Sequence, residues 1–254
     1  MYHSVIFGEK HTYDDWRLVP TERPVIVPPT QKTNFIDVPG ADGSLDVSDA
    51  LTGYPIYNDR EGSLSFYVLN EYDGYNYANV YSDVMTNVHG KRLRMILEDD
   101  PGWYYDGRFW VDNWTPDSYH SKISIKYRVD PYKWSTTTSI DSHWYWSTFN
   151  FETDVITSTE FVNIPVASNS SWTVKNYSQG TLGLAPTLPK FTVRSNNGRG
   201  MDIFIRNIST NTYADAHFPD GTSSNHRLMI TNGDISIGFK GAGTVTMDFR
   251  MGKL

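Results

Sequence analysis

The densest group of residues that could perform acid–base chemistry in this sequence is a run of three carboxylates, Glu98, Asp99 and Asp100. A glycoside-hydrolysing pair needs two carboxyl groups that face one pocket, roughly 5–10 Å apart. Consecutive residues at a strand end point to alternating sides, and the following Pro101-Gly102 indicates a turn. We therefore interpret the cluster as a polar turn, and a glycan hydrolase is the least supported of three hypotheses for the function.

A metal or nucleotide site has no more support. Asp42, Asp46 and Asp49 lie near Gly43, but they lack the order of oxygen ligands that an EF-hand loop requires. The seven histidines form no ligand pair at helical spacing, and the absence of Cys excludes thiolate ligands. The sequence contains neither a Gly-x-Ser-x-Gly elbow nor a Gly-rich phosphate loop. We expect no catalytic residue, no metal and no cofactor, and the protein is not expected to be an enzyme.

Aromatic residues provide the remaining candidate site. Trp144, Trp146 and Trp172 lie in a stretch rich in Asn, Ser and Thr, and aromatic faces beside such polar groups can bind sugars. Tryptophan and tyrosine equally fill sandwich cores and protein interfaces, which is the favoured interpretation here. Carbohydrate binding through these three tryptophans is the alternative.

Composition and charge limit the class of protein. The 254 residues include 15% aromatic and 20% charged residues, which excludes a disordered chain, a coiled coil and a collagen-like fibre. No stretch approaches the roughly 18 apolar residues of a membrane span, and the run Val5-Ile6-Phe7 is too short for a secretory signal. Residues 1–134 carry a net charge of −7 and residues 135–254 a net charge of zero. This asymmetry favours two domains, 1–134 and 135–254, and argues against a first domain that binds nucleic acid.

The first half has the pattern of a β-rich domain with one helix. Apolar residues at Tyr77, Val80, Tyr81, Val84 and Val88 follow a helical period and predict a helix over 75–89, ended by Gly90. Strands are predicted at 3–7, 33–38, 64–69, 94–97, 104–111 and 121–129.

The second half has the texture of an all-β domain. Short apolar runs occur at 191–193, 202–205, 228–230 and 244–249, separated by turns such as Asn196-Asn197-Gly198. Regular short strands with turn residues between them are typical of a β-sandwich or barrel. We predict a mainly β protein of two domains, and we leave open whether the last few residues return to the first domain.

The first half also resembles a known family. The matching pieces, in order, are Gly8, Asp14-Asp15-Trp16-x-Leu18-Val19, Arg23-Pro24-x-Ile26-x-Pro28-Pro29, Lys32-Thr33, Ile36-Asp37-Val38-Pro39-Gly40-Ala41-Asp42-Gly43-x-Leu45-Asp46, Leu51-Thr52-Gly53, Asn58-x-Arg60-Glu61, His89-Gly90-Lys91, Asp99-Asp100-Pro101, Tyr105-x-Gly107-Arg108 and Asp130-Pro131-Tyr132-Lys133. This ordered set resembles the N-terminal domain of the distal tail (Dit) proteins of siphophages that infect Gram-positive bacteria. The second half resembles the family only in kind.

The resemblance implies a structural virion protein at the tail tip, made in the host cytoplasm. Its N-terminal domains would form a homohexameric ring, and its C-terminal domain would be a galectin-like or carbohydrate-module-like β-sandwich. The implied partners are other copies of the chain, the major tail tube protein, a tail-associated or tail-fibre hub protein and a peripheral baseplate or receptor-binding protein. DNA would pass through the channel unbound, since acidic residues repel it.

A closed ring needs two complementary faces on each subunit. The turn-rich arm from Pro39 to Glu61 is the candidate for reaching the neighbouring subunit. Its expected anchors are Leu45, Val47, Leu51 and Tyr54, with the backbone edges of the arm available for pairing.

Overall fold

The structure is a computed structural model, and it describes residues 3–69, 77–116, 121–141 and 159–254. The chain divides into two compact units. The first comprises Met1–Leu51 and Pro55–Lys133, and the second comprises Thr52–Tyr54 and Trp134–Leu254. The predicted mainly β class is confirmed, since antiparallel strands dominate both units.

The first unit is built on a curled antiparallel sheet. The strands of the unit, in this sheet and in one hairpin outside it, are β1 (Val5–Phe7), β2 (Lys10–His11), β3 (Leu18–Pro20), β4 (Phe35–Asp37), β5 (Ser44–Asp46), β6 (Arg60–Val68), β7 (Arg92–Leu97), β8 (Trp103–Thr115) and β9 (Lys122–Val129). The sheet order is β2-β1-β7-β8-β9-β6-β3, whereas β4 and β5, among the described strands, pair only with each other. All six strands predicted in this half overlap observed strands.

The predicted long helix is confirmed as α2 (Tyr77–Val88). Val80, Val84 and Val88 are buried in the core of the first unit, as their helical spacing predicts. The core also contains Phe7 and Phe109, whose ring centroids lie 5.1 Å apart in an edge-on arrangement. None of the described helices has the length and apolar character needed to cross a bilayer.

A second, shorter helix in this unit was not predicted. Helix α1 (Thr12–Trp16) has five residues, too few for an apolar stripe to repeat. Its N-terminus is capped because the His11 side chain accepts a hydrogen bond from the Asp14 amide at 3.1 Å. Trp16 is fully buried, and its indole nitrogen donates to Asp83 Oδ2 on α2 at 2.5 Å. This hydrogen bond joins the two helices of the core.

The second unit is built on a six-stranded sheet with its own core, and two short strands pair outside that sheet. Its elements are β10 (Lys133–Ser135), β11 (Ile164–Tyr177), α3 (Gln179–Leu182), β12 (Lys190–Ser195), β13 (Met201–Asn207), β14 (Tyr213–Phe218), β15 (Gly221–Ser223), β16 (Ile235–Asp248) and β17 (Gly252–Lys253). The main sheet has the order β14-β13-β16-β12-β15, with β11 also paired to β16, and β10 pairs with β17.

Strand β16 is central to this fold because each of its halves pairs with a different strand. Its first half pairs with β13 and its second half with β12, while β11 follows both halves. The change of partner coincides with Gly241 and Gly243, whose φ angles are +150° and +147°, and with a register shift in β11 between Ser168 and Thr173. Because β16 changes partners at this point, its two halves enclose one core, and the unit has the sandwich-like form predicted for this domain.

The sequence pattern located some strands of this unit and missed others. The predicted runs 191–193, 202–205 and 244–249 all lie in strands. The run 228–230 is not a strand: Leu228 and Ile230 are buried in the core, but Ile230 makes only an isolated bridge to Thr187. Strands β11 and β14 were not predicted because few of their residues are large and apolar: β11 contains the polar run Ser168-Asn169-Ser170-Ser171, and the inward positions of β14 carry Ala214 and Ala216.

The first prediction concerns Gly243, which lies where β16 changes partners. A Cβ at Gly243 would lie 2.1 Å from the Arg194 carbonyl oxygen, whereas Gly198, with φ +68°, has no atom within 4 Å of that position. We expect Gly243→Ala to lower the free energy of unfolding by about 3 kcal/mol and Gly198→Ala by only about 1 kcal/mol. Urea unfolding followed by tryptophan fluorescence measures both. Equal shifts would contradict the close approach of β12 and β16.

Candidate functional site

The three consecutive carboxylates are held by three different parts of the first unit. Glu98 Oε2 accepts a hydrogen bond from the Ser4 amide at 2.8 Å, and Asp100 Oδ2 accepts one from Lys133 Nζ at 2.5 Å. Asp99 lies 2.8 Å from His3 Nδ1 and accepts a 2.8 Å hydrogen bond from Arg23 Nε. The three side chains therefore connect the turn after β7 to the N-terminal segment, to Arg23 and to Lys133, as expected of a structural turn.

The environment of Asp99 changes its acidity. The hydrogen bond with His3, followed by that with Arg23, lowers the pKa of Asp99 below its ordinary value of 3.8. Its side chain is 17% exposed, so solvent screens these contacts only in part. Asp99 thus stabilises the folded state by connecting the N-terminal segment to the start of the Pro-rich segment.

Of the three aspartates near Gly43, Asp46 accepts local hydrogen bonds, from the Ser48 hydroxyl and amide at 2.5 and 2.9 Å, and these lower its pKa. Asp42 is exposed at the turn, and Asp49 is half-buried. Across the part of the chain that the structure describes, no group of three or more acidic, His or Cys side chains could hold a metal ion.

A distinctive surface is a double strand that we name the arm (residues 30–58), of which all but Thr52–Tyr54 belongs to the first unit. Its root is held by two backbone hydrogen bonds, from the Lys32 amide to the Ile56 carbonyl and from the Asn58 amide to the Thr30 carbonyl, both 2.8 Å long. Farther out, β4 and β5 form a hairpin in which Ile36 pairs with Leu45. The arm thus begins before Pro39, because the predicted strand at 33–38 forms one side of it.

The arm exposes apolar side chains on both faces of its hairpin. Ile36 and Leu45 are cross-strand partners and share one face, whereas Phe35 lies on the other. Exposed fractions are 57% for Phe35, 56% for Leu45 and 100% for Leu51. Ile36 and Val38 are exposed as well. Several exposed apolar side chains on one short hairpin make it a candidate interaction site.

The predicted anchors of the arm fall into two pairs. Leu45 and Leu51 are exposed, whereas Val47 and Tyr54 are half-buried. Burial raises the pKa of the Tyr54 hydroxyl. Sequence reasoning missed Phe35, whose signal was its position next to Ile36 in a strand without polar alternation. The side chains available to a partner are therefore Phe35, Ile36, Val38, Leu45 and Leu51.

Buried contacts fix the segments that lead into the arm. Arg60 is 5% exposed, its Nε donates to the Pro131 carbonyl at 2.8 Å, and its guanidinium lies over the Tyr105 ring at 5.5 Å. Burial lowers the pKa of Arg60. In the segment before the arm, the Val27 amide donates to the Tyr127 hydroxyl at 3.0 Å. The arm therefore projects from a packed base.

One face of the sheet carries a row of arginines. Arg92, Arg108 and Arg128 occupy paired positions on β7, β8 and β9. Like charges in register repel, and nearby carboxylates offset this: Arg92 Nε lies 2.6 Å from Asp106 and Arg128 Nε 2.8 Å from Asp59. The hydrogen bond with Asp106 raises the pKa of Arg92. Arg92 and Arg128 are therefore ion-paired within the chain, whereas Arg108 Nη1 donates to the Gly90 carbonyl.

The tryptophans of the sugar-binding alternative have separate outcomes. Trp172 lies on β11 with 38% of its surface exposed. Trp144 and Trp146 lie outside the described residues. Of the three, only Trp172 can therefore be placed on a surface of the second unit.

Comparison with known proteins identifies a similar fold. No protein-family model matches the sequence, and no curated protein matches it. Among solved structures, the chain is similar to the SPP1 Dit (gp 19.1) protein, described as a paradigm of the hub adsorption apparatus in phages infecting Gram-positive bacteria. The match has a TM-score of 0.60 and 13% sequence identity, and it covers 99% of both chains. The resemblance to distal tail proteins is thus confirmed for the fold, over both units.

The acidity of Asp99 yields a pH-dependent prediction. A carboxyl whose pKa is lowered in the folded state stabilises that state above its unfolded pKa, and this contribution disappears as the pH falls through the folded value. We expect Asp99→Asn to lower stability by about 1 kcal/mol at neutral pH. The difference from the native chain should shrink as the pH falls below 3.8, the ordinary value, and disappear only below the lowered pKa of the folded state.

Thermal unfolding followed by circular dichroism, at neutral and acidic pH, measures this difference. Asp42→Asn is the matched control, because Asp42 is an exposed aspartate at the turn of the arm. A destabilisation by Asp99→Asn that persists at acidic pH would contradict the assigned contacts.

Proposed function

We propose that this protein is a structural, non-enzymatic hub at the tip of a phage tail. Six copies form a ring that connects the tail tube to the host-adhesion device and leaves a central passage for DNA. The observation that carries the proposal is the fold match to a phage hub protein over 99% of both chains. A match to one domain would support only a shared module, whereas a full-length match supports a shared architecture.

The structure of the arm supports the proposal that the chain forms a ring. Identical subunits close into a ring when one face of each binds a different face of the next. The arm offers exposed apolar side chains and, on β4 and β5, backbone edges that pair with no other strand of the sheet. Its root is hydrogen-bonded and its base is packed, so a neighbour would meet a preformed surface.

The charge distribution suits passage of DNA. Residues 1–134 carry the whole net charge of −7, and like-charge repulsion would keep the phosphate backbone from binding inside a ring. The carboxylates at 98–100 are engaged in structural contacts, which supports a role without catalysis. The other partners under this proposal are the tail tube protein, the tail-fibre hub and a peripheral baseplate or receptor-binding protein.

The ring proposal predicts the mass of the native assembly and a variant that does not assemble. The native chain, at 29.0 kDa, should elute as a species of about 174 kDa in light scattering after size exclusion. The double variant Leu45→Asp/Leu51→Asp should elute as a monomer, because charges in a desolvated contact are unfavourable. Its melting temperature, taken on the dilute monomer, should match that of the native chain, because both side chains are exposed.

Ile208→Asp provides the matched control, since Ile208 is 53% exposed in the second unit and outside the arm. It should leave the hexamer intact. A native chain that stays monomeric at every concentration, or a double variant that remains hexameric, would contradict the role of the arm.

A further inference from the structure

The outer face of the second unit's sheet carries a band of aromatic residues. On β13, Ile203 and Ile205 are buried in the core, so Phe204 between them faces outward. Phe204 lies opposite Gly238 of β16, and Gly238 lies opposite Val174 of β11. Because residues in register share a face, these three positions form a continuous line across three strands.

Glycine at position 238 makes room for the Phe204 ring. A Cβ at Gly238 would lie 2.0 Å from a ring carbon of Phe204, so the ring lies against the backbone of β16. The Trp172 ring lies 4.9 Å from the Phe204 ring at 73°, and the Tyr213 ring lies 5.4 Å from it at 33°. We name Trp172, Phe204 and Tyr213 the aromatic platform. Two of its members are well exposed, Trp172 at 38% and Tyr213 at 56%.

A row of charged side chains borders the platform on one side. Lys240, Asp202 and His217 occupy paired positions on β16, β13 and β14. Lys240 Nζ lies 5.9 Å from the centre of the Trp172 ring, and His217 Nδ1 lies 2.7 Å from Asp202 Oδ1. The row contains both signs of charge and both hydrogen-bond donors and acceptors.

A second polar row borders the platform on the other side. Asn176, Ser236 and Arg206 occupy paired positions on β11, β16 and β13. The Ser236 hydroxyl donates to Asn176 Oδ1 at 2.6 Å, and Arg206 Nη2 donates to Asn211 Oδ1 at 2.8 Å. Tyr213 lies opposite Arg206 at the β14 end of this row. The rings therefore run obliquely across the strands, and both rows supply groups beside them that can hydrogen-bond a ligand.

The arrangement discriminates among possible ligands. A phosphate-rich ligand requires a surplus of Lys and Arg, whereas here Lys240 and Arg206 are balanced by Asp202 and Asp215. A docked protein favours a broad apolar patch, whereas this apolar band is narrow and has polar residues on both sides. A pyranose has an apolar C–H face and a rim of hydroxyl groups that donate and accept, which matches the band and its borders.

We propose that the aromatic platform is a binding site for neutral saccharides, with pyranose rings stacked on Trp172 and Tyr213 and hydroxyl groups hydrogen-bonded to the two polar rows. The band runs across β11, β16, β13 and β14, a span of about 14 Å, which accommodates more than one sugar ring. The site lies wholly within the second unit and does not depend on ring formation.

The test is titration of the full-length protein with neutral oligosaccharides of glucose, of galactose and of N-acetylglucosamine. Isothermal calorimetry measures affinity, and tryptophan fluorescence reports stacking. We expect saturable binding to at least one of them. Trp172→Ala and Tyr213→Ala should each weaken it by about tenfold, and Tyr213→Phe by less because it keeps the ring.

Tyr77→Ala is the matched control: Tyr77 is 45% exposed and stacks on Trp114 in the first unit, so its loss should leave sugar affinity unchanged. Circular dichroism checks that each variant is folded. Absence of saturable binding up to about 10 mM of every oligosaccharide would overturn the proposal, as would full affinity in a Trp172→Ala/Tyr213→Ala variant. If the same variants lose binding to a purified adhesion-device protein while no sugar binds, the face is a protein-docking surface.

Light scattering on the same samples separates this proposal from the ring. A monomer that binds sugar supports the platform and contradicts the hub. A hexamer that binds no sugar supports the hub and contradicts the platform.

Discussion

A two-stranded hairpin cannot bury its own side chains, because it has no second layer to cover either face. In this protein the constraint applies to β4 and β5, where Phe35 and Leu45 are more than half exposed. The hairpin is nevertheless held by an ordered root and a packed base. The arm therefore has defined geometry and unburied apolar surface, the combination that a subunit-to-subunit contact requires.

The same logic separates the roles of the two units. The first keeps its carboxylates and arginines in ion pairs within the chain, as Asp99 with Arg23 and Arg92 with Asp106 illustrate. Its assembly surface is the arm. The second encloses a core between the halves of β16 and presents aromatic rings on its outer face. Under the proposals made above, the first unit assembles the ring and the second contacts ligands or partners.

Sequence alone predicted the features that repeat along the chain. The stripe through Val80, Val84 and Val88 located α2 because a twelve-residue helix repeats its buried face three times. Helix α1 completes only about one turn, so no periodicity could reveal it. Leu51, named as an anchor from its place in a turn-rich arm, is fully exposed, and its role as an anchor stays a prediction. Trp172 was already a sugar-binding candidate from the sequence, but its grouping with Phe204 and Tyr213 could not be predicted, because strand register across β11, β13 and β14 brings the three together.

The central claim is that copies of this chain close into a ring through the arm. Electron microscopy of the purified full-length protein, negatively stained at the concentration where the large species forms, tests it most directly. The account predicts particles with six-fold symmetry and an open centre. Two-fold particles, or particles without a central opening, would contradict it.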